Sequence, residues 1–106
     1  MPLLRYEEIV IWDAELKAAG SMTPYIDVSR VSHWGIFFRS STANYLRLYV
    51  KRGLTWEMYD RWEILADTPF WLNVWSFPYG QIYFYIESEA TLTLSIYKKI
   101  VPRWLY

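Results

Sequence analysis

The sequence of 106 residues contains no cysteine and a single histidine, His33. The lack of thiols excludes disulfide cross-links, thiolate nucleophiles and zinc sites built on sulfur. One imidazole excludes any catalytic or metal site that needs two of them within one chain. Gly-rich phosphate loops, nucleophile elbows and zinc-protease motifs are also absent from the sequence. We therefore expect a protein that is not an enzyme, that has no cofactor and no metal site, and whose fold depends on packing alone.

The net charge is zero, because eleven Lys and Arg residues balance eleven Asp and Glu residues. No overall field would then steer the chain toward nucleic acid or an anionic membrane. No apolar run approaches the roughly 20 residues of a membrane span. The segment Met1 to Glu8 has no basic leader and ends in two carboxylates, so it does not resemble a signal peptide. We expect a soluble chain of undetermined compartment, with a virion or an extracellular surface as candidate locations.

Alternating hydrophobicity is the main positive signal. Apolar residues recur with period two over most of the chain, in runs rich in Val, Ile, Thr and aromatics, which is typical of half-buried strands. The pattern predicts one domain, residues 1–106, with an antiparallel all-β fold: a two-sheet β-sandwich or jelly roll of about seven to eight short strands. A closed barrel is the alternative. The predicted inward-facing residues are Trp34, Ile36, Phe38, Leu46, Leu48, Val50, Phe70, Leu72, Val74, Ile82, Phe84, Ile86, Leu92, Leu94 and Ile96.

Three segments are less clear in the pattern. Asp13 to Gly20 contains good helix formers followed by a glycine, which suits a single helical turn or a loop. Ser40 to Asn44 is small and polar, as a hairpin loop would be. Trp56 to Leu65 fits one bent strand or two short ones, with Asp60 and Arg61 at the bend.

From Tyr25 to Lys99 the order of these elements resembles the discoidin-like (galactose-binding-like) jelly-roll sandwiches, including the small variants found in virion and surface proteins. The resemblance covers about two thirds of the chain and implies a role in binding or assembly. It transfers no functional residue, and Arg52-Gly53 replaces the Asp-Gly turn of such domains, which removes a candidate cation-binding carboxylate. The segments that carry the resemblance are Tyr25 to Ser29, Leu46 to Trp56, Ile82 to Ile86 and Ala90 to Tyr97.

Aromatic residues make up 21% of the chain, more than a core of this size can hide, so some should face outward. The outer rings could be covered by the chain's own termini, could form a subunit interface, or could be a platform for sugar rings. We place self-association first: a structural or assembly module, virion-like or on a surface, that forms a homo-oligomer or joins other subunits. A carbohydrate-binding module is the alternative. The candidate ligand or interface residues are Tyr49, Trp71, Trp75, Tyr83, Tyr85, Tyr97, Trp104 and Tyr106.

The sequence also contains residues that could form a nucleic-acid site or a calcium site. Cations and rings interleave from Arg39 to Arg52, as in single-strand nucleic-acid binders, but the stems of Arg and Lys would equally well cover neighbouring rings. Zero net charge favours that second interpretation. An oxygen-only calcium site could use Asp27, Asp67, Glu87 and Glu89, although we expect Glu87 and Glu89 to be solvated charges beside a turn.

The C-terminal segment, residues 100–106, ends on three large apolar residues. Pro102 cannot donate a ladder hydrogen bond, so the last strand should end near Lys99. We expect the segment to dock, by preference on a neighbouring subunit.

Overall fold

A computed structural model describes residues 5–29 and 31–100. Every regular secondary-structure element in these two ranges is a β-strand, which confirms the predicted all-β class. The strands are β1 (Arg5–Lys17), β2 (Ile26–Asp27), β3 (Val31–Ser40), β4 (Asn44–Arg52), β5 (Thr55–Ile64), β6 (Phe70–Trp75), β7 (Gln81–Ile86) and β8 (Ala90–Ile100).

The strands form two four-stranded antiparallel sheets rather than a closed barrel. Sheet A has the order β1-β8-β3-β6, and sheet B has the order β2-β7-β4-β5. Among these pairs only β4 and β5 are neighbours along the chain. The predicted two-sheet sandwich is therefore correct. Apart from the β4–β5 hairpin, each connection between consecutive strands runs from one sheet to the other.

The core lies between the sheets and contains most of the residues that the alternation placed inward. It also contains five buried residues that the sequence analysis did not assign: Trp12, Ile26, Val28, Ile64 and Ala90. Trp34 of sheet A and Phe84 of sheet B, both fully buried, meet edge to face across the core, with ring centres 6.4 Å apart. Burying a large apolar side chain contributes roughly 1.5–3 kcal/mol, so this layer supplies most of the stability. The inward residues of β6, Phe70, Leu72 and Val74, are only half-buried because β6 lies at the edge of its sheet.

The first strand is longer than the sequence suggested. Residues 13–17 continue β1, and Glu15, Leu16 and Lys17 pair with β8, so the predicted turn or loop over Asp13 to Gly20 is wrong for most of that segment. The register shifts twice, between Val10 and Trp12 and between Trp12 and Glu15, and Ala14 has a positive φ of 50°. A neighbouring strand and bulges in the ladder have overridden weak local helix propensity.

Ser40 to Asn44 does not close a hairpin, contrary to the prediction, because it carries the chain from β3 in sheet A to β4 in sheet B. The buried Asn44 fixes this crossing. Its Nδ2 donates to the carbonyl oxygen of Ser88 (2.9 Å), and its Oδ1 accepts from the Ser88 backbone N–H (2.9 Å). The small polar residues thus serve a connection between sheets.

β5 is a single strand with one irregularity. Leu48 pairs with Asp60 but Tyr49 pairs with Met58, so Tyr59 is the extra residue of a bulge. The predicted bend at Asp60 is thus one residue late. Tyr59 turns toward Phe77 and lies 5.3 Å from it, ring centre to ring centre.

The C-terminal segment after Ile100, with Trp104 and Tyr106, lies outside the described residues, so its docking stays a prediction. β1 is an edge strand of sheet A and does not cover either outer face. In residues 5–29 and 31–100 no helix is long and apolar enough to cross a membrane.

Candidate functional site

The predicted outer aromatics fall on two opposite faces of the sandwich. Register places Tyr49, Tyr83 and Tyr85 together on sheet B, through the pairs Tyr49 with Tyr83 and Arg47 with Tyr85. Three further predicted residues, Trp71, Trp75 and Tyr97, lie on sheet A, so the described members of the set do not form one surface. The two faces differ in how their rings are used.

The outer face of sheet A contains a groove of about 310 Å³. Its floor is Gly35 of β3, which pairs with Asn73 of β6 on one side and with Tyr97 of β8 on the other. Because the flanking strands project side chains and Gly35 has none, a depression forms in the middle of the sheet. The residues that line it are His33, Gly35, Ile36, Trp71, Leu72, Asn73 and Tyr97.

Gly35 has a packing reason to be glycine. A Cβ at this position would lie 2.5 Å from the carbonyl oxygen of Leu72 and 3.1 Å from Asn73 Oδ1. Since the first of these contacts is with backbone, β6 would have to move to admit any side chain. A glycine inside a strand often marks such a close approach of another backbone, and the groove is its consequence.

Trp75 lies beside the groove with one ring face covered. It stacks on His33, with ring centres 4.0 Å apart and planes 25° from parallel. The imidazole is 6% exposed, whereas Trp75 is 62% exposed. His33 Nε2 donates to Asn73 Oδ1 at 3.2 Å, which holds the imidazole and the amide in place. The indole therefore presents its other face to solvent from a fixed support.

Trp71 forms one wall of the groove and is 61% exposed. Its ring centre lies 4.8 Å from that of Phe37 and 6.2 Å from that of Tyr97. The Tyr97 hydroxyl donates to Glu8 Oε1 at 3.5 Å. Burial, and then the nearby Glu8 carboxylate, raise the pKa of Tyr97. Trp71 is thus supported from two sides while most of its surface stays open.

The outer face of sheet B is closed by contacts among its own rings. Tyr49 and Tyr83 stack with centres 4.8 Å apart and planes 5° from parallel. Tyr83 also contacts Trp56 (4.9 Å) and Tyr25 (5.9 Å). Burial raises the pKa of the Tyr83 hydroxyl. Tyr49, Trp56 and Tyr83 are thus half-buried against one another, whereas Tyr25 is 61% exposed.

The rest of sheet B's outer face is an ion cluster. Arg61 donates to Glu87 through Nε (2.6 Å) and Nη2 (2.9 Å), and Arg47 donates to it through Nε (2.7 Å). The Arg61 bonds, with the Arg47 bond adding to them, lower the pKa of Glu87 to about 2. Glu87 is therefore not the solvated charge that the sequence suggested. The Arg61 guanidinium lies 3.7 Å from the Tyr45 ring centre and that of Arg47 lies 4.9 Å from Tyr85, so the interleaved cations cover rings.

Sequence reasoning missed His33 and Gly35 as parts of a site. A single histidine in a strand gives no signal for a site, whereas the signal that could have found Gly35 is a glycine inside an alternating strand. Among the described residues, no group of three or more His, Cys, Asp or Glu side chains could hold a metal ion. The groove offers rings, an amide and an imidazole, which suit an uncharged ligand with hydroxyls and apolar faces.

No family model and no curated protein matches the sequence. Among solved structures, the SPBc2 prophage-derived protein YomS is similar, with a TM-score of 0.69 and 10% identity, over 93% of this chain and 96% of that one. A protein of Bacillus endospore appendages, described as a novel family of disulfide-linked pili, has a TM-score of 0.60 and 10% identity, over 93% of this chain and 89% of that one. The carbohydrate-binding module CBM29-2 has a TM-score of 0.46 and 10% identity, over 92% and 87%.

At these identities the first two similarities show the fold alone, and the third is too low to support an argument. They bear out the jelly-roll sandwich that the resemblance implied, while no family match singles out the discoidin-like group. The chain is thus similar in fold to a prophage-derived protein and to a pilus protein.

Proposed function

We propose that the chain is a non-catalytic module that binds glycans in the groove of sheet A. The observation that carries the proposal is the pair Trp71 and Trp75, each more than 60% exposed, held by ring neighbours beside a groove with a glycine floor. Indole faces stack well on the apolar faces of pyranose rings. Asn73, which is exposed, supplies an amide next to those faces. This reverses the order in which the sequence placed self-association and glycan binding.

The lining of the groove favours binding over cleavage. Ligand pockets typically enclose roughly 300–1,000 Å³, and this groove, at about 310 Å³, is at the lower end of that range. The seven lining residues include no Asp or Glu, whereas hydrolysis of a glycoside normally uses a pair of carboxyl groups. The groove is thus suited to hold a sugar, and its lining residues provide no carboxyl group to cleave a glycosidic bond.

Sedimentation of the protein with insoluble cellulose, chitin and mannan, followed by fluorescence titration, tests the proposal. We expect one of these polysaccharides to bind and Trp71→Ala to weaken that binding about tenfold, which corresponds to about 1.4 kcal/mol. Leu65→Ala is the matched control, because Leu65 is also 62% exposed but does not line the groove. Absence of binding by the unmodified protein, or an equal loss in the control, would reject the proposal.

Self-association is the second candidate, favoured by the position of β6. This strand carries both exposed tryptophans and lies at the edge of sheet A, where one row of backbone groups is open to pairing. The fold is similar to that of a prophage-derived protein and a pilus protein, which favours a virion or a cell surface as the location. Because the chain has no cysteine, any assembly would be non-covalent, unlike the disulfide-linked pili.

Solution mass by light scattering separates the two candidates. A monomer over a wide concentration range that binds glycan supports the first. A symmetric oligomer that dissociates in Trp71→Ala, with no effect of glycans on its fluorescence, would support the second.

A further inference from the structure

We infer that the groove accepts a linear, neutral glycan of at least three pyranose units, laid along β6 with its middle unit over Gly35. The inference rests on the proposed glycan-binding function and makes it specific in length, direction and charge. Each of these three properties follows from a different feature of the groove.

The length follows from the spacing of the two exposed tryptophans. Trp71 and Trp75 are four residues apart on one face of β6, and a rise of about 3.3 Å per residue separates them by about 13 Å. Adjacent pyranose rings are joined through one bridging oxygen, which places their centres at less than half that distance. Units stacked on Trp71 and Trp75 therefore cannot be adjacent, and a third unit must lie between them.

The direction follows from where open ring faces occur. Both Trp71 and Trp75 are on β6, whereas the ring next to Trp75 across the sheet is His33, which is 6% exposed and already covered by the indole. A glycan that ran perpendicular to the strands would contact only one of the two tryptophans. A glycan that follows β6 meets both.

The middle unit is received by Gly35 and Asn73. Gly35 projects no side chain beside Asn73, so the amide of Asn73 is the group that a sugar would meet there, and Tyr97 bounds the groove on the β8 side. His33 occupies the amide oxygen of Asn73, which leaves the two Nδ2 protons to donate to a sugar hydroxyl. A branch from the middle unit toward Tyr97 would meet that ring, so we expect an unbranched chain.

Neutrality follows from the charges around the groove. The seven lining residues include no Lys or Arg that could pair with a carboxylate or sulfate on the ligand. Glu8 Oε1 lies 3.5 Å from the Tyr97 hydroxyl and adds negative charge on the β8 side. Lys99 lies opposite His33 in the register of β8 but is not among the lining residues. An anionic sugar in the middle position would therefore meet the Glu8 charge without a lining cation to compensate it.

Calorimetric titration with chain-length series tests the inference on the whole protein. The probes are β-1,4-linked oligomers of glucose and of N-acetylglucosamine, from one to six units, and a uronic-acid series for charge. In the series that binds, we expect affinity to rise about tenfold from two units to three and less than about threefold beyond four. The uronic-acid series should bind at least about tenfold more weakly than the neutral one at equal length.

Two variants test the geometry, and both should fold because the replaced side chains are exposed. Trp75→Ala should reduce affinity for the three-unit oligomer to that for the two-unit oligomer and leave the latter within about twofold. Leu65→Ala should change neither. Circular dichroism verifies that each variant retains the β spectrum.

The outcomes separate this inference from the function on which it rests. Equal affinities for two and three units, or no effect of Trp75→Ala on the three-unit oligomer, would overturn the inference while glycan binding stood. Equal binding of the uronic-acid series would overturn its neutrality. If no oligomer of either neutral series and no polysaccharide binds, the proposed function itself fails.

Discussion

Both outer faces of the sandwich carry several aromatic rings, but the two exposed tryptophans among the described residues lie on sheet A. On sheet B the rings lie directly opposite one another, as Tyr49 and Tyr83 do, and cover each other. On sheet A the residue between Asn73 of β6 and Tyr97 of β8 is Gly35, and Trp71 and Trp75 stay more than 60% exposed. An outward aromatic is therefore available for binding only if its cross-strand neighbours leave its face free.

The largest expected difference between the two faces is in how much the loss of one ring lowers the free energy of unfolding. Tyr83→Ala removes contacts with three rings and should lower the free energy of unfolding by about 2–3 kcal/mol, because the ring is half-buried. Trp75→Ala, on the open face, should cost no more than about 1 kcal/mol, the loss of one stacked pair. Urea denaturation measures both. If Trp75→Ala lowered the free energy of unfolding more than Tyr83→Ala, the assignment of sheet A as the open face and sheet B as the closed face would be wrong.

The ion cluster of sheet B predicts a pH dependence that sheet A should lack. The folded pKa of Glu87, about 2, is below its unfolded value, so its contribution to stability is present above the unfolded pKa of about 4.3 and is lost as the pH falls toward 2. Glu87→Gln should therefore melt at a lower temperature than the unmodified protein at pH 7, and the difference should shrink toward pH 2. Glu89→Gln, at an exposed position, is the control. A difference that did not depend on pH would contradict the charged pairing.

Quenching of fluorescence by acrylamide compares the faces directly. Trp71 and Trp75 are the most exposed tryptophans described, whereas Trp34 is fully buried and Trp56 is half-buried against Tyr83. Replacing Trp71 and Trp75 together by Phe should remove most of the readily quenched emission. Trp56→Phe should remove much less. Comparable losses from both variants would show that sheet B is as open as sheet A.

The smallest expected effect concerns tyrosine ionisation. Burial raises the pKa of Tyr83 and, with the Glu8 carboxylate, that of Tyr97. Both should ionise late in an alkaline titration followed by tyrosinate absorbance. A raised folded pKa stabilises the fold below the unfolded pKa of about 10 and loses that effect as the pH rises further. Tyr83→Phe should remove part of the late absorbance, and loss of an early component instead would argue against its burial.

The alternation of the sequence was sufficient to predict the inner faces of β3, β4, β6, β7 and β8, because inward residues such as Leu48 and Leu94 repeat with the period of the pleat. It was not sufficient to assign strands to sheets, which depends on pairing between distant segments. Two errors have this origin: Ser40 to Asn44 was predicted to close a hairpin, and Asp13 to Gly20 to leave the sheet.

The candidate site was predictable only in part for the same reason. Trp71 and Trp75 could be assigned to an outer face from their own strand alone. That Gly35 lies between Asn73 and Tyr97 depends on β3 having β6 and β8 as neighbours. No local pattern contains that information, so the groove could be recognised only once the sheet order was known.

The place of β8 between β1 and β3 bears on how the chain is made in the cell. During synthesis, β1 and β3 emerge long before the strand that joins them. β1 has no partner until residues 90–100 have left the ribosome, and β3 can pair only with β6 before then. The β4 and β5 pair is the one that can close early, since its strands are adjacent in sequence. Folding that depends on distant pairings is slow, and it leaves apolar strand edges exposed while it waits. The nascent chain therefore needs protection from aggregation until its last described strand arrives.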